Sequence, residues 1–260
     1  MNAPVDAAEL TRLLGPGSPW QPIEIVAVTG STNDDLMARG GAQHGLVRIA
    51  GFQTAGRGRF DRVWQAAPGA GVAVSVMVRP SSPVTHWGWL SLLTGMAAAD
   101  GLRGIGRQNG SDAGRVSLKW PNDVLIDDAK VCGILAQTDG EIVVLGWGLN
   151  IAMTRGELPV PTATSLALAG WPVDSTAVVA AVLQRLQHYY TLWEGGSDLT
   201  VDYLALSSTI GRRVRVESLH SVIEGEAVGI DDAGALLVSA DSAGVVAVDA
   251  GDVVHLRKGR

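Results

Sequence analysis

The sequence predicts an α+β fold in which a largely antiparallel sheet with helices is followed by a small β-barrel. Short apolar strands joined by tight turns occupy residues 116–145, and this spacing favours antiparallel pairing. Apolar residues recur at helical spacing on either side, at 87–102 and 175–193. From Ile210 onward, short β-rich runs are separated by turn signals, which is typical of a small barrel.

Composition narrows the class of protein. With 260 residues, 47% of them hydrophobic, the chain can bury a large core as one domain or two. The net charge of −6 argues against general affinity for nucleic acid, which depends on neutralising phosphates. A single cysteine, Cys132, rules out an internal disulfide and favours a reducing compartment. No signal-peptide pattern and no apolar run of about 20 residues is present, so we expect a cytoplasmic protein without membrane contact.

The sequence pattern of the first half of the chain predicts several helices and strands. Three leucines share one face of a short helix that ends at Gly15. Ser31, with Asp34 three residues later, resembles a capping box and predicts a helix start. In order, the predicted elements are a helix at Ala7–Leu14, a strand at 23–28, a helix after Ser31, strands at 46–52 and Gly71–Val78, and a helix at 87–102.

The second half begins with the hairpin strands and ends with the barrel. Pro121 cannot join a central ladder, so the strand before it ends there, and the glycines of residues 146–150 end the series. The predicted strands are 116–120, 124–126, 131–136 and 141–145, the helices 163–169, 175–193 and 199–206, and the barrel strands 214–217, 222–230, 235–239, 245–248 and 253–256. We expect one domain at 1–208 and a barrel domain at 209–260.

An arginine- and glycine-rich loop occupies residues 56–62. Its three arginines carry permanent charges in a planar fork suited to phosphate and carboxylate, and its two glycines let the backbone approach a ligand. The pattern indicates an anion-binding loop. A solvated surface loop with scattered arginines is the alternative, and the loop alone does not separate the two.

Other polar segments also follow predicted strands. They are residues 31–33, 53–59, 119–130 and Asn150. If their strands share one sheet, the segments converge on a site with several cations, amide groups and one acid, Asp123. Such a site suits a carboxylate attacking a triphosphate, because fixed cations lower the repulsion between the two anions. Each segment also has a plainer interpretation: Ser31 as a helix cap, Asp123 as a turn acid and Lys119 as an exposed strand end.

Several chemistries receive no support. Cys132 is alone and the five histidines show no ligand spacing, so a Cys/His metal site is not predicted. Neither a Gly-x-Ser-x-Gly elbow nor a Walker-type Gly-Lys-Ser/Thr is present. Asn122 and Asp123 are candidates for holding a magnesium ion or ribose hydroxyls, and Lys130 could bridge a carboxylate and a phosphate.

Four motifs in order carry a resemblance to a known family. They are Gly-Arg-Gly-Arg at 56–59 after Gln53, Lys-Trp-Pro-Asn-Asp at 119–123, Lys130 with Gly-Ile-Leu at 133–135, and Gly-x-Gly-x-Asn at 146–150, and Ser-Thr-Asn at 31–33 also matches. Together they resemble the biotin–protein ligases, over most of the chain from Ser31 onward.

The resemblance implies a fold and a reaction. The fold is a mixed sheet with helices behind it, related to class II aminoacyl-tRNA synthetases, with an SH3-like barrel at the C-terminus. The reaction has two steps, in which biotin and Mg-ATP form biotinyl-5′-AMP and pyrophosphate, and a lysine of a biotin carboxyl carrier protein then takes the biotin and releases AMP. ATP, Mg²⁺, biotin and the carrier are the implied cofactor, substrates and partner, and no nucleic acid or membrane is expected.

The resemblance also implies roles for individual residues. Lys130, Asp123 and Arg57 are the implied catalytic residues, with Asp123 orienting or deprotonating the incoming lysine. Biotin would contact Ser31, Thr32, Asn33, Gln53, Gly56, Arg57, Gly58, Arg59, Lys130 and Gly133. The nucleotide would contact Arg59, Trp64, Asn122, Lys130 and Asn150, with Trp64 stacking on adenine, and Asn122 and Asp123 would hold Mg²⁺.

The sequence departs from the family pattern at three places. Asp61 stands where a further glycine is common, which suggests a stiffer loop, and Trp147 stands where a small residue is usual. Only about twenty residues precede the first predicted strand, so we expect no N-terminal DNA-binding domain and no repressor role. The oligomeric state is not set by the sequence, although exposed sheet edges could pair two copies.

Two other functions compete with biotin ligation. A lipoate–protein ligase would share the fold and the adenylate chemistry, but it needs a long apolar tunnel, whereas residues 31–33 are polar. A nucleic-acid-binding or regulatory module could use the arginine-rich loop and the barrel. The acids of the barrel, such as Glu217, Glu224 and Asp231, argue against that module.

Overall fold

The computed structural model describes residues 4–40, 44–218, 221–241 and 244–256. Its helices are α1 (Ala7–Leu14), α2 (Thr32–Met37), α3 (Gly88–Gln108), α4 (Ser175–Glu194) and α5 (Thr200–Leu206). Its strands are β1 (Ile23–Thr29), β2 (Val47–Gln53), β3 (Gly71–Val78), β4 (Val116–Lys119), β5 (Asp123–Ile126), β6 (Ala129–Thr138), β7 (Val143–Asn150), β8 (Arg213–Glu217), β9 (Val222–Ile230), β10 (Leu236–Ala240), β11 (Gly244–Val248) and β12 (Asp252–His255).

Seven strands form one mixed sheet in the order β1-β2-β3-β7-β6-β5-β4. β1 and β2 pair in parallel and the remaining neighbours pair antiparallel. The α+β class with a mixed, largely antiparallel sheet is therefore confirmed. The parallel pair needs a crossover, and α2 supplies it between β1 and β2.

The two faces of the sheet bury different side chains because successive residues of a strand point to opposite sides. In β3, the valines at 72, 74, 76 and 78 belong to the main core, on the side where α3 packs. Met77 belongs instead to a small cluster with Leu36 of α2 and Val144 of β7. The intervening residues Ala73 and Ser75 therefore face the α2 side, which is where the functional cavity lies.

Helices cover the α3 side of the sheet in two layers. α3 lies on the sheet and α4 packs on α3, where Gly101 allows close contact because an added Cβ would lie 3.0 Å from the backbone nitrogen of Val182. α1 packs on α4 and begins at Asp6, whose carboxylate accepts a hydrogen bond from the Glu9 amide.

The C-terminal strands form a separate five-stranded antiparallel sheet in the order β11-β10-β9-β8-β12. β8 alternates exposed and buried residues, and its buried members Val214 and Val216 join the main core. Two indole N–H groups of the larger part reach across, from Trp89 to the Asp231 carbonyl and from Trp120 to the Gly234 carbonyl, both at 3.2 Å. The small all-β C-terminal part is thus as predicted, and it is packed firmly against the larger sheet.

Two predicted elements are wrong. Residues 163–169 form turns rather than a helix, because their backbone is bonded to the sheet: the Thr164 amide donates to the Lys130 carbonyl at 2.8 Å and the Leu166 amide to the Asn150 carbonyl at 3.0 Å. β7 also runs through Asn150 instead of ending at residue 145, since residues 146–150 pair with β3. Among the helices in the described ranges, none combines the length and the hydropathy that crossing a bilayer requires.

Candidate active site

A cavity of about 460 Å³ opens on the α2 side of the sheet. It brings together most of the residues predicted from the sequence: Ser31, Thr32, Asn33, Gln53, Arg57, Gly58, Arg59, Trp64, Asn122, Asp123, Lys130, Gly133 and Asn150 all line it. Gly56 is not in its lining, but an added Cβ there would lie 2.5 Å from the Trp64 carbonyl oxygen, so this glycine shapes the base of the loop. Lys119 lines the cavity as well.

One end of the cavity is a polar cluster at the start of α2. Ser31 is the N-cap of α2 and accepts a hydrogen bond from the Asp34 amide at 3.3 Å. It also lines the cavity, so the same residue is a helix cap and part of the cavity wall. Thr32 and Asn33 are almost fully buried behind it. The Thr32 amide donates to the Gln53 side-chain oxygen at 2.7 Å, which ties the cluster to the end of β2. Buried polar groups of this kind need partners, and here they have them.

The floor of the cavity is made of glycines on neighbouring strands. An added Cβ at Gly146 would lie 2.0 Å from Oδ1 of Asn33, and one at Gly148 would lie 2.3 Å from the Trp64 ring. At Gly133 the corresponding distance is 3.1 Å to the Lys130 side chain. Real Cβ contacts do not reach 2.0–2.3 Å, so the side chains of Asn33 and Trp64 occupy space that only glycine leaves.

Lys130 lies at the centre of the cavity. Its ammonium is 2.5 Å from Oδ1 of Asp123 and 5.6 Å from the centroid of the Trp64 ring. The pair is held by charge and proximity, since the geometry is not that of an aligned hydrogen bond and Asp123 Oδ1 is buried without a hydrogen-bond partner among the described residues. A ligand that brings a donor or a cation would therefore have to share this oxygen with Lys130 or replace it.

Two carboxamides flank this ion pair. Nδ2 of Asn122 donates to the Ile134 carbonyl at 2.8 Å, and Nδ2 of Asn150 donates to the Thr164 carbonyl at 2.9 Å. Because carbonyl oxygens accept only, both amide nitrogens are fixed on the protein side and both Oδ1 atoms remain as acceptors. The wrongly predicted helix at 163–169 thus has a different role, since its Thr164 carbonyl orients Asn150.

The arginine-rich loop is a narrow hairpin. The Trp64 amide donates to the Gly56 carbonyl at 2.9 Å and the Gly58 amide to the Arg62 carbonyl at 2.6 Å. At its tip Phe60 takes a left-handed conformation, with φ 53° and ψ 44°. Arg57, on one limb, pairs with Asp34 at 3.2 Å with both side chains partly exposed, so little energy holds it there and a ligand can replace the partner.

The rest of the loop contacts the barrel. Nη1 of Arg59 donates to the Gly251 carbonyl at 3.3 Å, and Arg62 forms an ion pair with Asp252. Burial lowers the pKa of the Arg59 guanidinium, and the neighbouring carboxylates of Asp252 and Asp123 oppose that effect. Because burial removes part of its hydration, the Arg59 guanidinium needs negative partners, and an anion in the cavity would have to compete with these carboxylates for it.

The sequence did not identify all of the cavity wall. Asp252 and Val254 come from β12, more than 100 residues beyond the last of the site motifs at 146–150, and no local pattern marks them. Ser75 and Gln137 lie behind the polar cluster and bond Asn33. Ser75 did carry a signal, because it is the one polar residue in the apolar strand β3.

A magnesium ion would meet a limited set of donors. In the described part of the chain, no three His, Cys, Asp or Glu side chains cluster as a metal site. Among the residues predicted from the sequence, the candidate oxygens are the Asp123 carboxylate and the Oδ1 atoms of Asn122 and Asn150, and Asp252 adds a second carboxylate to the cavity wall. Mg²⁺ is commonly bound through one or two carboxylates together with substrate phosphates and water, so this donor set fits an ion that arrives with a nucleotide.

Comparison with known proteins places the fold and the site in a defined class. Residues 24–150 match the biotin/lipoate A/B protein ligase family, and residues 209–256 match the biotin protein ligase C-terminal domain. The chain is 43% identical to the biotin–[acetyl-CoA-carboxylase] ligase of Mycobacterium tuberculosis, over 99% of this chain and 98% of that protein. It belongs to the biotin protein ligase family.

Two further relatives extend the comparison. The bifunctional ligase/repressor BirA of Bacillus subtilis is 32% identical over 83% of this chain and 67% of its own length. Among solved structures, the biotin protein ligase of Aquifex aeolicus in complex with biotin and ATP superposes with a TM-score of 0.76 at 23% identity, covering 92% of this chain and all of that chain. The shared fold therefore includes both the larger sheet and the C-terminal sheet.

Proposed function

We propose that this chain is an ATP-dependent biotin–protein ligase. The observation that carries the proposal is a single cavity in which a buried polar cluster, Thr32 and Asn33, lies beside a lysine cation, Lys130, and an arginine-rich hairpin. A cyclic urea suits the first feature and the carboxylate and phosphates of the reacting groups suit the other two. The 43% identity along the whole chain to a protein named as a biotin–[acetyl-CoA-carboxylase] ligase supports the same activity.

The first step joins two anions. The biotin carboxylate oxygen attacks the α-phosphorus of ATP, the bond to the bridging oxygen breaks, and pyrophosphate leaves with the electron pair. In this proposal Lys130 would contact both the carboxylate and the α-phosphate, while Arg57 and Arg59 would neutralise the remaining phosphate charge. Mg²⁺ bound with the nucleotide would add charge neutralisation, with Asp123, Asn122 and Asn150 as its protein donors.

The ligand contacts follow from the cavity wall. Ser31, Thr32, Asn33 and Gln53 form the polar end and would hold the ureido head of biotin. The nucleotide would lie toward Trp64, Asn122 and Asn150, with the Trp64 ring as a stacking surface for adenine. The glycines Gly56, Gly58 and Gly133 would let the backbone approach biotin. These assignments are our proposals for individual residues.

The second step transfers biotin to an amine. The lysine of a carrier domain attacks the carbonyl carbon of the mixed anhydride, an amide bond forms and AMP leaves. Only the neutral amine attacks, so a base must accept its proton. We assign this role to Asp123, which is paired with Lys130 in the structure and would exchange that partner for the incoming amine. The carrier is proposed to be the biotin carboxyl carrier domain of a carboxylase, and a cytoplasmic location stays a prediction.

Incubation of the protein with biotin, α-labelled ATP, Mg²⁺ and a biotin carboxyl carrier domain tests the proposal. We expect labelled biotinyl-5′-AMP without the carrier, and biotinylated carrier with it. A parallel reaction with lipoate and a lipoyl domain tests the nearest alternative, and we expect no transfer there. Transfer of lipoate but not biotin, or no adenylate with either acid, would show that the proposed activity is wrong.

A further inference from the structure

We infer that Ser75 and Gln137 are positioning residues that determine which ligand head the cavity accepts. They touch Asn33 from opposite sides and, with it, fix the direction of the hydrogen bonds that Thr32 and Asn33 can offer. The inference rests on the proposed function, because it concerns recognition of the same ligand. Ser75 is fully buried in β3, and neither residue carries one of the motifs of the family resemblance.

A backbone carbonyl, which can only accept, fixes the orientation of the Asn33 carboxamide. The side-chain nitrogen of Asn33 lies 3.1 Å from the Leu135 carbonyl oxygen, which accepts only, so this atom must be the amide nitrogen. Its second hydrogen goes to Oε1 of Gln137 at 2.7 Å. Both N–H groups of Asn33 are therefore used, and Gln137 must present its oxygen.

The same choice fixes Ser75. With the amide nitrogen assigned, Oδ1 of Asn33 faces the Ser75 hydroxyl at 2.6 Å. A carboxamide oxygen only accepts, so Ser75 donates its single hydrogen to it. Ser75 Oγ is also 2.7 Å from Oγ1 of Thr32, and because its hydrogen is used on Asn33 it can accept in that contact but not donate.

Thr32 then has no hydrogen left for a ligand. Its hydroxyl has one hydrogen and two acceptors within the protein, Ser75 Oγ at 2.7 Å and Gln53 Oε1 at 3.0 Å. Whichever accepts it, Thr32 Oγ1 and Asn33 Oδ1 can offer only lone pairs to a ligand. Removing one member of such a buried network leaves another unsatisfied, so the arrangement acts as a unit.

Thr32 and Asn33 present only acceptors, and these select a ligand head with N–H donors. A cyclic urea has two N–H groups and meets this requirement, whereas a dithiolane ring has none. A site built to bond an N–H group discriminates strongly against an analogue without it, because its own polar atoms are then buried and unpaired. Ser75 and Gln137 thus contribute to specificity without touching the ligand.

The test compares variants that remove and keep the relevant atoms. Ser75→Ala removes the hydroxyl, Gln137→Met removes the acceptor at similar length, and Gln137→Glu keeps an acceptor oxygen. Ser165→Ala is the control, since Ser165 is also fully buried but donates to the Met153 carbonyl away from the cavity. The probes are biotin and its two cyclic carbamate analogues, in which oxygen replaces one ureido N–H.

For Ser75→Ala and Gln137→Met we expect the KM for biotin to rise about ten- to a hundred-fold, with the KM for ATP within about twofold of wild type. Their preference for biotin over the carbamates should fall, and Gln137→Glu and Ser165→Ala should retain both values. An unchanged KM for biotin, an equal rise in the KM for ATP, or the same loss in both Gln137 variants would overturn the inference. Calorimetric biotin binding separates the two proposals: wild type that binds biotin but forms no adenylate contradicts the proposed function, and wild type that does not bind biotin contradicts both.

Discussion

The side chain of Lys130 lies beside a carboxylate, an aromatic ring and a glycine. The carboxylate of Asp123 neutralises it, the face of Trp64 lies beneath it, and Gly133 leaves room for its side chain. A lysine held this way has a partner of opposite charge inside the cavity and can still move to a ligand, because the side chain remains 30% exposed. The sequence motif was sufficient to predict Lys130 as a site residue. Its pairing with Asp123 could not be predicted, because it depends on the register between β5 and β6.

Replacing Lys130 by alanine should nearly abolish adenylate formation. The reaction would lose the cation that faces both reacting anions, a loss of at least about 100-fold in rate. Measurement of pyrophosphate release with saturating biotin and ATP checks this. Arg12→Ala serves as the control, because Arg12 is an exposed cation on α1 that pairs with Glu9 on the same helix. Release at the wild-type rate in Lys130→Ala would remove Lys130 from the mechanism.

Among the secondary-structure elements, β7 contributes most to the shape of the cavity. Its glycines at 146 and 148 lie opposite Ser75 and Ala73 of β3, so one stretch of the sheet carries almost no side chains on the α2 side. The Gly-x-Gly-x-Asn motif at 146–150 predicted the end of the series of strands and a close approach of the backbone. The close approach is present, but it occurs in the middle of a strand and it is to the side chains of Asn33 and Trp64.

Gly146→Ala should therefore damage the cavity rather than the fold. A methyl group would meet Oδ1 of Asn33 at 2.0 Å and force this carboxamide out of place. We expect biotin affinity to fall by about tenfold or more, with a stability cost of about 1–3 kcal/mol. Calorimetry and thermal unfolding measure the two effects.

Gly104→Ala is the matched control for that substitution. Gly104 lies in α3 and an added Cβ would meet nothing within 4 Å, so alanine should stabilise the protein by about 0.5–1 kcal/mol and leave biotin binding unchanged. Equal biotin affinity in Gly146→Ala and Gly104→Ala would contradict the packing described for Asn33.

Regular elements were predictable from sequence where their pattern was local. The alternating valines of β3 and the leucine face of α1 are examples, and both elements were placed correctly. Residues 163–169 were not, because their short apolar pattern fits a helix equally well and the deciding bonds go to Lys130 and Asn150, far away in the chain. The site motifs were likewise found, but Asp252 on β12 was not.

For the whole molecule, the important feature is the set of contacts that Thr209 makes between the seven-stranded and the five-stranded sheets, which we call the join. The hydroxyl of Thr209 accepts the Trp120 amide at 3.1 Å and lies 3.1 Å from Nε2 of His255. When Nε2 is unprotonated, the Thr209 hydroxyl donates its hydrogen to it. Trp120 immediately precedes the Pro-Asn-Asp part of the motif, so a residue of the barrel helps to hold the segment that we propose to be catalytic. The division of the chain at residue 208 remains a prediction.

This join predicts a dependence of stability on pH. Burial, then the charges of Lys119 and Arg212, lower the pKa of His255 from 6.5 to about 4, and Asp128 opposes this effect. The unfolded chain thus binds the proton first as pH falls. The stabilisation is complete above about pH 6.5 and is lost progressively toward pH 4.

The variant His255→Gln isolates this contribution, because glutamine can accept from Thr209 but does not titrate. Between pH 7 and pH 4.5, we expect wild type to lose about 2 kcal/mol more unfolding free energy than the variant, less than the full shift allows because the ring is only partly buried. Urea unfolding at the two pH values measures the difference. Parallel losses in both proteins would show that His255 does not titrate in this window.

The glycine floor has a consequence for altering what the cavity holds. Gly133, Gly146 and Gly148 have no side chains to remove, so every substitution at these positions can only make the space shallower. Enlargement has to begin at Trp64, whose ring fills the space above Gly148. Substitutions at the three strand glycines would therefore fit the cavity to smaller ligands. A smaller side chain at residue 64 would fit it to larger ones.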